Sequence, residues 1–144
     1  MTVPSTGFEL REHTADIALY VWGDSPEALF NSAASGFYAA LGQLEPAGPQ
    51  QHQPFEITLT APDLADLLAD FLSELVYLFD SRRARLIDLE FPQLTESYLR
   101  ATARFQPVDL ERSDLHCEVK AVTRHNLEIE THAGRLETTI ILDI

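Results

Sequence analysis

Three short stretches of this chain hold the side chains that could do chemistry. Glu12-His13-Thr14-Ala15-Asp16 puts four functional side chains into five residues, at a junction ahead of an apolar alternation. Such junctions are where sites are commonly built. At the other end, Ile140-Ile141-Leu142-Asp143-Ile144 sets Asp143 beside the last carboxylate at a strand end. Carboxylate and main-chain oxygens of this kind, Asp16 included, suit a hard cation such as Ca²⁺ or Mg²⁺. Between the two lies Lys120, the one lysine among ten basic residues, inside Glu118-Val119-Lys120-Ala121-Val122-Thr123-Arg124-His125. An ammonium is a movable, strongly hydrated point charge and a guanidinium a rigid planar fork, so neither replaces the other. A plainer reading stands beside each. Residues 12–16 could simply bond their own backbone in a turn, and a strand lysine usually solvates an exposed face. The five histidines show no zinc spacing, and only His13 and His125 stand next to other candidate groups. His13 with Asp16 could act as a general base and its orienter, which leaves a small metal-dependent hydrolase open, although no nucleophile accompanies them.

Composition narrows the classes. A length of 144 residues with 45% hydrophobic content predicts one domain over 1–144, large enough to bury about two-thirds of its unfolded surface. A formal charge of −13 repels phosphate backbones and anionic bilayers, so strong direct RNA binding and membrane binding are not expected. It favours a basic protein partner or a metal cation. The single cysteine, Cys117, excludes an intramolecular disulfide and a Cys-rich zinc site, and fits a reducing compartment. There is no Gly-x-Gly-x-x-Gly, no phosphate loop with a lysine and no Gly-x-Ser-x-Gly. Met1 to Ser5 has neither a basic region nor an apolar run behind it, and acids interrupt every long apolar stretch. The expectation is a cytoplasmic protein.

The elements that must position these groups are legible from periodicity. Ser25-Pro26-Glu27 reads as a cap, a first-turn proline and an acid at the positive end of a helix. Leu29, Phe30, Ala33, Ala34, Phe37, Ala40 and Leu41 continue it as one apolar stripe, closed by Gly42. A second helix is predicted from about Pro62 to Asp80, with a broader stripe and with Asp63, Asp66, Asp70 and Glu74 on a solvated side. Alternation places strands around Ile17–Val21 and Phe55–Leu59, and then at about 86–91, 97–105, 116–125, 126–132 and 135–143. Residues 43–54, rich in Pro, Gly and Gln, are expected to be a surface loop. The sum is an α+β fold in which two amphipathic helices cover one face of a largely antiparallel β-sheet. If Ala133-Gly134 is the last hairpin's turn, His132 faces Arg135, Leu127 faces Ile140, Ile129 faces Thr138 and Arg124 faces Asp143.

Taken together, His13-Thr14-Ala15-Asp16-Ile17, Glu118-Val119-Lys120-Ala121-Val122-Thr123 with His125, the closing Asp143-Ile144, and the helix ending Leu75-Val76-Tyr77-Leu78-Phe79-Asp80 resemble the archease family. The resemblance runs from about Phe8 to Ile144. It implies a non-enzymatic activator of the GTP-dependent RNA-splicing ligase, in tRNA splicing or in other RNA repair. Such an activator promotes attachment of GMP to the ligase's own histidine and lets the ligase turn over repeatedly. The resemblance also implies that Asp16 and Asp143 are metal ligands, joined by a main-chain oxygen at Ile144, with Lys120 as the functional cation beside them. Glu12, His13 and His125 are expected around those ligands. Two positions depart from the family pattern: Glu12 stands where aspartate is usual, and Arg124 replaces an aromatic residue. An arginine facing Asp143 would compete with a metal for that carboxylate. A general protein-binding chaperone or modulator, with no metal role, is the other reading.

Overall fold

The computed structural model describes residues 5–12 and 15–144, the side chain of Glu12 excepted. His13 and Thr14 lie outside the described residues. The chain runs β1 (Gly7–Glu12), β2 (Asp16–Gly23), α1 (Pro26–Leu41), β3 (Gly42–Pro46), β4 (Phe55–Thr60) and α2 (Leu64–Arg82). It continues as β5 (Ala84–Leu94), β6 (Tyr98–Leu115), β7 (Ala121–Thr123), β8 (Glu130–His132) and β9 (Arg135–Asp143). This is the expected α+β class: two amphipathic helices packed on antiparallel strands. The strands divide into two sheets. One has the order β1-β2-β9-β7, with β8 also on β9; the other is built around β6, which pairs with β3, β4 and β5.

Local chemistry accounts for both helices. The Ser25 side chain accepts from the Ala28 N–H at 3.1 Å, and Asp63 caps α2 by accepting from the Asp66 N–H at 2.8 Å, each satisfying a donor that has no partner inside the helix. Gly42 ends α1 at φ 135°, and a Cβ there would run into the Asp114 carbonyl. The helices meet the sheets through one continuous core. Leu67, Leu68, Phe71, Leu72 and Leu75 of α2 are fully buried, as are Leu29, Phe30 and Ala33 of α1 and Leu19, Val21, Ile140 and Leu142 of the first sheet.

Five expectations are overturned. The region given as a loop from residue 43 begins with β3, which pairs with the C-terminal part of β6. The strand expected to stop at 105 runs on to Leu115, because β3 and β5 both supply it with hydrogen-bonding partners that sequence alternation does not reveal. The strand expected over 116–125 is only Ala121–Thr123, and the one expected over 126–132 is only Glu130–His132. The hairpin's His132 does face Arg135. Beyond Glu130, however, the ladder breaks, and Ala121 rather than Arg124 lies opposite Asp143. A turn at 124–127 takes up the difference; Leu127 N–H donates to the Arg124 carbonyl at 3.2 Å.

Candidate functional site

β2 begins where β9 ends, side by side in the middle of the first sheet, and the register pairs Asp16 directly with Asp143. Their neighbours Ile17 and Leu142, also paired, are buried at 4% and 0% exposure. Side chains alternate along a strand, so both aspartates project from the face turned away from the core. Directly opposed residues have Cβ atoms roughly 4.5–5.5 Å apart. Two carboxylates at that spacing repel unless a cation lies between or beside them. Among the described residues neither aspartate has an ion-pair partner.

The third candidate joins through its backbone. Ala121 pairs with Asp143 on the other side of β9, and the Lys120 N–H donates to the Asp143 carbonyl at 2.7 Å. Lys120 is exposed and, among the described residues, makes no ion pair. Ile144 is tied to the same corner: its N–H donates to the Ala15 carbonyl at 3.4 Å. The strand ends that carry Asp16, Asp143, Ile144 and Lys120 therefore meet at one corner through their backbones. Glu12 ends β1 beside this corner, where its backbone pairs with Ile17; its side chain and His13 lie outside the described residues. His125 is exposed in the turn that follows β7, outside the strand ends that meet at this corner.

Arg124 is not at this corner either, so the expected ion pair with Asp143 is replaced by another. Its guanidinium bonds the Asp70 carboxylate and lies 3.7 Å from a carboxylate oxygen of Asp66, both on α2. The cation that would have competed for Asp143 is held on the helix. The acids of α2 are thus only partly a solvated face.

The donor set can be tested against a hard cation on chemistry alone. Two opposed carboxylates and the main-chain oxygens of the β9 terminus are all hard oxygen donors, and Ca²⁺ and Mg²⁺ take such ligands. Among the described residues no group of three or more His, Cys, Asp or Glu side chains gathers at one point, so side chains there supply a full ligand set neither for zinc nor for a hard cation, and Asp16 with Asp143 contributes two carboxylates. The residues fit an oxygen-coordinated ion completed by main-chain oxygens or water.

Residues 8–144 match the Archease protein family (MTH1598/TM1083). The chain belongs to the archease family. An archease from Methanopyrus kandleri is 35% identical over 136 residues, covering 92% of this chain and 96% of that one. The archease of Methanosarcina mazei is 32% identical over 148 residues, covering 99% and 100%. Protein 1598 of Methanobacterium thermoautotrophicum, solved in solution, superposes with a TM-score of 0.71 at 27% identity, covering 96% of this chain and 99% of that one. A Thermotoga maritima archease described as a possible chaperone shares the fold, with a TM-score of 0.68 at 20% identity, covering 100% and 98%.

One polar network on the outward side of this archease sheet is absent from the sequence reading. Tyr20 Oη donates to Glu137 Oε2 at 2.7 Å, and Arg135 donates to both, at 3.2 Å each. The bond from Tyr20, then that from Arg135, holds the Glu137 carboxyl below its usual range. Loss of water contact, then the bond to Glu137, pushes the Tyr20 phenol up. The signal that could have revealed it is the Asp16–Asp143 register. Counted inward, that register sets Trp22 on Glu137 and makes Tyr20 its diagonal neighbour.

Proposed function

We propose that this chain activates a GTP-dependent RNA-splicing ligase, promoting transfer of GMP to the ligase's active-site histidine, through a tip built from Asp16, Asp143 and Lys120. Family membership supports the activator role, and the direct Asp16–Asp143 pairing supports the tip. That pairing is the observation that carries the reading, since only the folded sheet brings the two acids face to face, where a cation would relieve their repulsion. A divalent ion there, Ca²⁺ or Mg²⁺, would neutralise the pair and offer a positive charge directed at phosphate oxygens. Asp16 and Asp143 would hold it, with a main-chain oxygen at Ile144. Lys120, anchored by its backbone to the Asp143 carbonyl, presents an ammonium on a flexible stem at the same corner. The rest of the surface carries the acidic excess that gives the chain its −13 charge. A ligase cleft that binds RNA and GTP phosphates is basic, so the two attract. The same charge disfavours direct RNA binding. The proposed setting is cytoplasmic and the proposed role non-catalytic; among the described residues no helix is long and apolar enough to cross a membrane.

The test follows radiolabelled GMP onto the partner ligase, with wild type, Asp16→Ala and Lys120→Ala, each with and without chelator. Loss of stimulation in both variants, and with chelator, is the expected result. Undiminished stimulation in both variants disposes of the tip mechanism. Hydrolysis of model phosphate or ester substrates by the isolated protein would favour the hydrolase reading instead. A general chaperone would need contiguous exposed apolar surface. Among the described residues the large exposed hydrophobics are Phe8, Tyr77 and Leu115, on three different elements.

A further inference from the structure

The segment leading into the last hairpin has two registers open to it. The Ala133-Gly134 turn pairs Thr131 with Leu136 and Glu130 with Glu137. Carried on without a break, that ladder would set Arg124 opposite Asp143. It would also leave Lys120 four residues, about 13 Å, from the carboxylate pair. The chain instead folds back at 124–127, with Asn126 at φ 56°, and β7 re-enters three residues out of step, so that Ala121 meets Asp143. Burial of Val119 favours this second register. Yet β7 is only three residues long and, as an edge strand, is laddered to β9 alone. Three rungs on a single neighbour give β7 few contacts of its own to fix that register.

The missing constraint comes from α2. Asp66 and Asp70 are one helical turn apart and form a two-carboxylate seat. Arg124 occupies it: its guanidinium bonds Asp70, lies 3.7 Å from the Asp66 carboxylate and donates to the Asp66 carbonyl at 3.5 Å. A planar fork can engage these acceptors together where a point charge could not. We infer that Arg124 is a positioning residue: seated on Asp66 and Asp70, it selects the register that sets Lys120 beside Asp143 and keeps its own charge off the Asp16–Asp143 pair. The register claim stands on geometry alone, whereas its consequence for activation rests on the ligase reading above.

Amide hydrogen exchange at Lys120, whose N–H is bonded to Asp143, reads the register without a ligase. Wild type is compared with Arg124→Ala, Asp70→Asn and the exchanged pair Arg124→Asp with Asp70→Arg; Leu72, fully buried in α2, serves as the fold control. Exchange at Lys120 is expected to quicken about three- to tenfold in each single variant, the scale of a networked surface ion pair. It should recover in the exchanged pair, with Leu72 unchanged. GMP-transfer stimulation should fall and recover in the same order. Wild-type exchange at Lys120 in Arg124→Ala overturns the register claim. Faster exchange with undiminished stimulation overturns the positioning role. Absence of stimulation by wild type itself counts against the ligase reading alone, because the exchange data still decide the register.

Discussion

Tyr38 shows how one buried hydroxyl ties a helix to a sheet. It lies in α1 at 4% exposure, and its oxygen accepts the Leu86 N–H of β5 at 2.9 Å. Burial pushes its phenol up to about 12 from an ordinary 10.0. The protonated phenol is thus favoured by folding, and this contribution is complete below pH 10.0 and is lost as pH rises through about 12. Tyr38→Phe strands the Leu86 N–H, and denaturant unfolding should register a loss of about 1–3 kcal/mol. Glu137 behaves with the opposite sign. Its carboxyl is held down by Tyr20 and Arg135, so its contribution is present above the ordinary carboxylate range and is lost as pH falls through its lowered value. Glu137→Gln should flatten the acid arm of the stability–pH curve, measured by thermal unfolding from pH 6 to about pH 2. An unchanged acid arm would remove Glu137 from that account.

At the scale of elements, capping and burial decide the helices. Ser25→Ala removes the side chain that accepts the Ala28 N–H and should cost about 1 kcal/mol by chemical denaturation. Leu75→Ala empties a fully buried site on α2 and should cost about 2–5 kcal/mol. These elements are legible in the sequence because their signals are local: a serine before a proline, and stripes at three- and four-residue steps; the start of α2 is less so, since the expected helix begins at Pro62 whereas Asp63 is its cap. The first pairs of the last hairpin were legible too, since a two-residue turn sets the register beside it. The rest depended on distant partners. Arg124 and Asp70 are 54 residues apart, and nothing near Arg124 announces an acidic seat on α2. The extension of β6 to Leu115 rests on pairing with β3, whose Gly42-Gln43-Leu44-Glu45-Pro46 reads as loop because only Leu44 offers an inward side chain. Of the candidate site, the convergence of Asp16, Asp143 and Lys120 follows the family resemblance, while the displacement of His125 follows from a turn that no short-range pattern marks.

On the scale of the whole molecule, charge and placement act together. A chain of formal charge −13 that approaches a basic cleft should associate quickly at low salt. Raising ionic strength from about 0.05 to 0.5 M should slow association with the ligase about tenfold or more, measured by stopped-flow. The ends of β2 and β9 set Asp16 and Asp143 together on the face turned away from the core, so a partner can reach them without disturbing it. The most direct measurement of the central claim is the initial rate of GMP transfer to the ligase with Asp16→Asn, Asp143→Asn and the double variant. If the two carboxylates hold one ion, each single variant loses most of the stimulation and the double loses little more. Wild-type rates in all three would contradict the account.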